Sequence, residues 1–220
     1  LAGSIFFVLS FIAAAGDARA ASSQIRPLAE KSLLLDGQVI GEKIIVAGER
    51  GHVLTSEDHG VSWQQQEVPT RATLTSVFFV DPANGWVAGH DSIILRTHDG
   101  GNHWQQVYSD QEDERPILDL WFCDMNHGYA VGAYGLFLVT EDGGDNWEHH
   151  AVSEEDMHLN QIKADGNRLF IAAEAGTLYR SDDSGESWEV LQPPYEGSFF
   201  GSLLLGGDNL LLFGLRGNLF

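Results

Sequence analysis

Four aspartates occupy positions where residue type and spacing could do chemistry. Asp58, Asp99, Asp142 and Asp183 lie in Ser56-Glu-Asp-His-Gly-Val-Ser-Trp63, Thr97-His-Asp-Gly-Gly-Asn-His-Trp104, Thr140-Glu-Asp-Gly-Gly-Asp-Asn-Trp147 and Ser181-Asp-Asp-Ser-Gly-Glu-Ser-Trp188. All four fit Ser/Thr-x-Asp-x-Gly-x-x-Trp. Such carboxylates can bind calcium or act as acids. Their spacing, 41, 43 and 41 residues, argues for something else. A fixed period in this range marks an array of one repeated supersecondary unit, and acids on four separate units cannot converge on one site. Each residue type also has a folding role. The Asp carboxylate can accept backbone amides a residue or two on, closing a tight turn. The fifth-position Gly can take positive φ. Trp63, Trp104, Trp147 and Trp188 can each cover a hairpin, burying on the order of 200 Å². The motif is therefore read as structural, with no catalytic residue, metal or cofactor assigned. His149-His150 has no spaced Cys or His partner, which argues against a metal there.

The elements that carry these motifs are short strands. In the second repeat, Leu74–Val80, rich in β-branched and aromatic residues, reads as a strand. Asp81-Pro-Ala-Asn-Gly85 reads as a turn. Trp86–Gly89, Ser92–Thr97 and His103–Tyr108 complete four strands, here called A to D. The third repeat runs Ile117–Cys123, Gly128–Val131, Leu136–Thr140 and Asn146–Val152. The fourth runs His158–Lys163, Arg168–Ala172, Thr177–Ser181 and Ser187–Leu191. Four antiparallel strands at this period describe a β-propeller blade. The fold expected is all-β: a propeller with blades near 30–68, 72–109, 115–152 and 157–192, plus an incomplete fifth at 198–220. Propellers have about 4–8 blades, so the parent ring is expected to continue for two or three more.

In such a blade the A–B and C–D turns share one end, and the B–C turns and D–A links share the other. The B–C tips read as Glu49-Arg50, His90-Asp91, Ala133-Tyr134, Glu174-Ala175 and Leu215-Arg216. The residues preceding them repeat at 41, 43, 41 and 41. A constant frame with changing tips suits recognition, so Glu49, Arg50, His90, Asp91, Tyr134, Glu174 and Arg216 are the candidate partner-binding residues. The acid runs Asp110–Glu114 and Glu154–Asp156 fall on the same face. Ser76, Asp119 and Asn160 are expected at equivalent register on inner strands, lining a central channel.

Composition bounds the partner. Among 220 residues the formal net charge is −20. Such a surface repels nucleic acid and anionic lipid and suits a basic partner. Residues 1–16 carry no charge and precede Ala18-Arg19-Ala20, the pattern of a signal peptide over 1–20 that leaves 21–220 as the mature chain. The run falls short of the ~20 residues a spanning helix needs, so no membrane insertion is expected after cleavage. Localisation is read as exported: periplasmic, secreted or, in a photosynthetic cell, the thylakoid lumen. The single cysteine, Cys123, permits no intrachain disulfide. Its apolar neighbours Leu120-Trp-Phe suggest a buried small hydrophobe.

The motif is the Asp-box or BNR repeat, known from sialidases, other glycoside hydrolases and sortilin-type receptors. A longer pattern is more selective. Strand A ends in Asp81 or Asp124; Gly85-Trp86…Gly89 and Gly128-Tyr129…Gly132 follow; then comes x-Ile/Leu-x-x-Thr-x-Asp-Gly-Gly-x-x-Trp. Over roughly residues 30–220 this resembles the photosystem II stability/assembly-factor propellers. The resemblance implies a cleaved signal, a seven-bladed ring, no catalysis, and a monomeric assembly chaperone or scaffold that meets a protein partner, membrane-embedded or basic. Photosynthetic members of that family use basic residues on the propeller for contact, and the charge of this chain departs from that. The alternative is a sialidase-like hydrolase, which needs clustered arginines and a Tyr-Glu pair. The arginines of the folded part are Arg26, Arg50, Arg71, Arg96, Arg115, Arg168, Arg180 and Arg216; the Arg-Ile-Pro signature is absent, and no spacing marks the two carboxylates of other glycosidases.

Overall fold

The computed structural model describes residues 21–206 and 209–220. The segment read as a signal peptide, 1–20, lies outside the described residues. The first blade consists of β1 (Leu34–Ile40), β2 (Lys43–Gly48), β3 (Val53–Ser56) and β4 (Gln64–Gln66). The second is β5 (Leu74–Phe79), β6 (Gly85–Gly89), β7 (Ile93–Thr97) and β8 (Gln105–Tyr108). The third is β9 (Ile117–Phe122), β10 (Gly128–Gly132), β11 (Phe137–Thr140) and β12 (Glu148–His149). The fourth is β13 (Leu159–Asp165), β14 (Arg168–Ala173), β15 (Leu178–Ser181) and β16 (Glu189–Leu191). A two-stranded fifth sheet pairs β17 (Phe199–Gly206) with β18 (Asn209–Gly214). Each sheet is an antiparallel meander in chain order, so the fold is the all-β propeller expected. The outermost strands are shorter than the sequence suggests; β12 keeps two residues where 146–152 were expected. Only its inner side meets another strand, so little burial extends it.

The five A strands, β1, β5, β9, β13 and β17, line one cavity of about 500 Å³, which places them around the central channel. Buried side chains gather across blade boundaries as well as within blades. Ile45, Ala47 and Val53 of the first blade pack with Leu74, Val87 and Leu95 of the second. Trp86 and Ile94 of the second pack with Leu120, Phe122 and Leu138 of the third. Tyr129 and Phe137 of the third pack with Leu159, Ile171 and Tyr179 of the fourth. A blade thus completes its core only against a neighbour, as expected of a repeat that cannot bury its face alone.

An irregularity recurs at the start of each A strand. The pairing skips a residue between Leu34 and Asp36, Leu74 and Ser76, Leu159 and Gln161, and Phe199 and Gly201, and likewise opposite Val131 and Gly132. These bulges shift the register. Asp36, Ser76, Asp119 and Gln161 are therefore equivalent. Asn160, expected in that set, falls on the bulge one residue earlier.

Candidate functional site

The four boxes have one geometry. The Ser or Thr hydroxyl accepts the amide of the box Gly: Gly60 to Ser56 at 2.8 Å, Gly101 to Thr97 at 3.0 Å, Gly144 to Thr140 at 2.9 Å and Gly185 to Ser181 at 2.8 Å. The same hydroxyl donates to the Asp Oδ1. That oxygen also accepts the amide four residues on, while Oδ2 takes the side chain of Ser62, His103, Asn146 or Ser187. Hydrogen bonds from Ser62 and from Ser187 hold the carboxyls of Asp58 and Asp183 down to about 2. These are permanent anions whose oxygens are occupied within their own turns, on four separate blades. Among the described residues no three His, Cys, Asp or Glu side chains are grouped to hold a metal. The box tryptophans differ in detail. Trp104 donates to Gly101 O at 3.0 Å and meets Phe79 edge-on, Trp147 meets Phe122 and Trp188 meets Phe137 in the same way, and Trp63 is half-buried.

The hydroxyl is the part most easily tested. Thr140 is buried and serves both Gly144 N–H and Asp142. Thr140→Val keeps the shape but orphans both, and a loss of about 1–3 kcal/mol is expected in urea unfolding. Thr140→Ser should lose less than about 1 kcal/mol, one methyl's worth.

At the opposite end, every B–C turn has two consecutive residues with positive φ: Arg50 (59°) and Gly51 (68°), Asp91 (60°) and Ser92 (47°), Tyr134 (54°) and Gly135 (71°), Ala175 (54°) and Gly176 (72°), Arg216 (64°) and Gly217 (73°). This is the type I′ hairpin. The tip pairs therefore sit one residue later than the sequence reading placed them. Arg50, Asp91, Tyr134 and Arg216 occupy the first central position, and all four are exposed. Glu49, His90 and Glu174 stand at the preceding corner. Glu49 Oε1 accepts the amide of Leu33 at 3.3 Å, and Glu174 Oε1 that of His158 at 3.1 Å, so both carboxylates brace the start of their own A strand. His90 is exposed. The turns are held in place: Glu49, His90, Ala133, Glu174 and Leu215 each donate a backbone bond of 2.9–3.2 Å to the residue before their A strand. Tyr134, 57% exposed, meets the His158 ring edge-on at 4.9 Å.

Sequence reasoning missed a basic cluster on this face. Arg26, Arg50, Arg71 and His52 line a cavity of about 280 Å³. The N-terminal segment makes it: Ser23 exchanges hydrogen bonds with Val68 at 2.8 and 3.0 Å, and Arg71 Nε donates to Ser22 O at 2.9 Å. No periodicity signals that a non-repeating segment lies along the first blade. His52 accepts or donates a bond with Ser32 Oγ at 2.8 Å; burial lowers its pKa, leaving the ring neutral and the cluster's charge with the arginines. In the acid run of the second D–A link, Asp110 caps its own turn by accepting Glu112 N–H and Asp113 N–H.

The channel holds a ladder. Asp36 Oδ2 accepts Val77 N at 2.8 Å, Ser76 Oγ accepts Leu120 N at 3.2 Å, Asp119 Oδ2 accepts Ile162 N at 3.1 Å and Gln161 Oε1 accepts Ser202 N at 2.5 Å. Each pairs an inner-edge amide, which has no strand beyond it, with the preceding blade. Ser76 Oγ also donates to Asp119 Oδ1 at 2.8 Å, and Lys163 Nζ lies 3.8 Å from Oδ2. Burial raises the pKa of both Asp36 and Asp119. Cys123, expected to be buried, is exposed: it follows the last residue of β9, where the chain leaves the sheet for the turn at Asp124.

The sequence matches the family described as photosynthesis system II assembly factor YCF48 over residues 55–117 and 109–196. It is 32% identical over 129 residues to the photosystem II assembly lipoprotein Ycf48 of Synechococcus sp. (strain CC9902), covering 59% of this chain and 27% of that protein. Against the first curated relatives the matched stretch spans 14–27% of their length. YCF48 from Cyanidioschyzon merolae superposes with a TM-score of 0.66 at 15% identity, covering 90% of this chain and 71% of that one. An ancestral GH74 enzyme gives 0.70 at 16% identity, covering 91% and 28%. At these identities the structural likeness speaks for the propeller alone.

Proposed function

Because the chain belongs to the photosynthesis system II assembly factor YCF48 family, we propose that it is a non-catalytic, exported propeller that binds a protein partner through its B–C face and serves the assembly or stability of a membrane complex. One observation supports this above the rest. The five B–C turns share one backbone and are tied down alike, yet present Arg50, Asp91, Tyr134, Ala175 and Arg216. Variable side chains on a fixed frame are what recognition needs. The arginine-lined cavity offers a counter-charge to a carboxylate, and the acid runs of the second and third D–A links can steer a basic stretch of the same partner. The periplasm, or the thylakoid lumen of a photosynthetic cell, suits a face that meets a membrane protein, and the lipoprotein named above supports export by likeness.

The boxes speak against hydrolysis, since their carboxylate oxygens are occupied in turns. Affinity capture of the full-length protein from detergent-solubilised envelope should return a membrane protein. Arg50→Glu with Arg71→Glu should weaken that capture about tenfold or more, two charge-assisted contacts being lost. Capture untouched by the double change would remove the B–C face from the reading. Turnover on a panel of glycosides would replace the reading with a hydrolase.

A further inference from the structure

The repeats allow one blade boundary to be read against another. On the box face, the residue before the box Ser or Thr is Thr55, Arg96, Val139 and Arg180 in turn; the third residue after the box Asp is Val61, Asn102, Asp145 and Glu186. At the boundary between the second and third blades these positions make a built contact. Arg96 Nη2 lies 2.7 Å from Asp145 Oδ1, and Arg96 Nη1 donates to Gly143 O at 3.0 Å. Trp86 Nε1 donates to the same carbonyl at 2.9 Å. The Arg96 side chain is only 15% exposed, so its guanidinium closes the crevice.

The next boundary keeps the acceptors and lacks the guanidinium. Glu186 stands where Asp145 does, and Ser184 O where Gly143 O does. Val139 replaces Arg96, and the smaller Tyr129 replaces Trp86. Tyr129 Oη still donates to Ser184 O at 3.1 Å. The place of the arginine opens into a cavity of about 920 Å³ lined by Tyr129, Val139, Ser184 and Glu186, and further out by Glu148, His127 and His150. Its volume falls in the range of ligand pockets. Among the described residues no Lys, Arg or His lies within salt-bridge distance of Glu186.

We propose that this crevice is a binding slot for an arginine side chain presented by a protein partner, seated between the Glu186 carboxylate and the Ser184 carbonyl as Arg96 is seated between Asp145 and Gly143. Arginine fits better than lysine because one planar fork reaches a carboxylate and a carbonyl together. A basic partner segment matches the net charge of −20. Isolated guanidinium contacts at exposed carboxylates are weak, so the slot selects a side chain whose peptide also fills the rest of the crevice. The site is on the face opposite the B–C turns and stands whether or not those turns dock anything.

The test is a saturation-transfer NMR titration of the full-length protein with acetyl-Ala-Ala-Arg-Ala-Ala-amide. The peptide should bind, and its citrulline analogue should bind about tenfold more weakly, having the shape without the charge. Glu186→Gln should weaken the arginine peptide about as much. Val139→Arg should abolish binding, its own guanidinium occupying the slot, with an unfolding midpoint no lower than that of the parent. If Val139→Arg does not fold, Glu186→Gln carries the test. Equal binding of the citrulline peptide, or binding unchanged in Glu186→Gln or in a folded Val139→Arg, overturns the proposal. Binding of free arginine amide as tightly as the peptide overturns a protein partner as the occupant.

Discussion

Trp86→Ala should cost about 3–5 kcal/mol in denaturant unfolding, the range for deleting a large buried aromatic. Trp86 is 1% exposed and lies flat on Phe122 of the next blade, ring centroids 3.6 Å apart and 9° from parallel. Its indole N–H is one of two donors to Gly143 O. Alanine removes the ring from a core shared by two blades and leaves Phe122 with one face uncovered. Trp86→Phe separates the parts. It keeps most of the stacking and gives up the hydrogen bond, while Arg96 still serves the carbonyl, so a smaller loss of about 1–2 kcal/mol is expected. Equal losses in the two variants would mean that the hydrogen bond, not the stacked ring, dominates. A loss under about 1 kcal/mol for Trp86→Ala would mean the boundary repacks freely.

Asp119→Leu should cost a comparable 3–5 kcal/mol, because removing one member of a buried charged network strands the rest. Ser76 Oγ, Ile162 N–H and Lys163 Nζ all converge on this carboxylate. Lys163 would keep its position 5.1 Å over the Trp121 ring and its attraction to Asp36. Asp119→Asn should cost less and show a particular pH dependence. Burial raises the folded pKa of Asp119, and of Asp36 in the same channel. A raised folded pKa means that the folded state holds its proton to higher pH than the unfolded chain does. The associated stability is fully present below the unfolded value of 3.8 and is lost as pH rises through the folded one. Relative to Asp119→Asn, the parent should therefore gain stability as pH is lowered from neutral towards about 4. A gap that is flat over that interval would remove desolvation as the controlling cause.

The boxes were legible because a turn is local chemistry. Ser/Thr, Asp, Gly and Trp within eight residues act on one another, and the hydrogen bonds among them are the ones their types suggest. The B–C tips were placed a residue early because the reading followed the changing side chains. The steady feature, glycine at the second left-handed position (Gly51, Gly135, Gly176 and Gly217), marks the turn centre, and Ser92 alone breaks it. Asn160 does line the channel cavity, but its register was assigned one residue early for a related reason: counting residues along a strand ignores a bulge. The basic cavity was out of reach, because Arg26 and Arg71 meet only when a non-repeating segment lies against the first blade. The ladder in the channel was partly in view, since Asp36, Ser76, Asp119 and Gln161 recur at nearly the blade period. What each side chain grips belongs to the neighbouring sheet, and repeat counting within one sheet does not show it.

All four rungs of that ladder point the same way along the chain. The side chain always belongs to the earlier blade and the amide to the later one. Lys43, Trp86 and Tyr129 also come from the earlier blade, donating to the carbonyls of Gly100, Gly143 and Ser184 on the later one. A nascent chain emerging from the ribosome therefore presents its acceptors before the amides that need them have been made. Each finished sheet is a mould for the one behind it, and assembly can advance from the N-terminus without waiting for distant sequence.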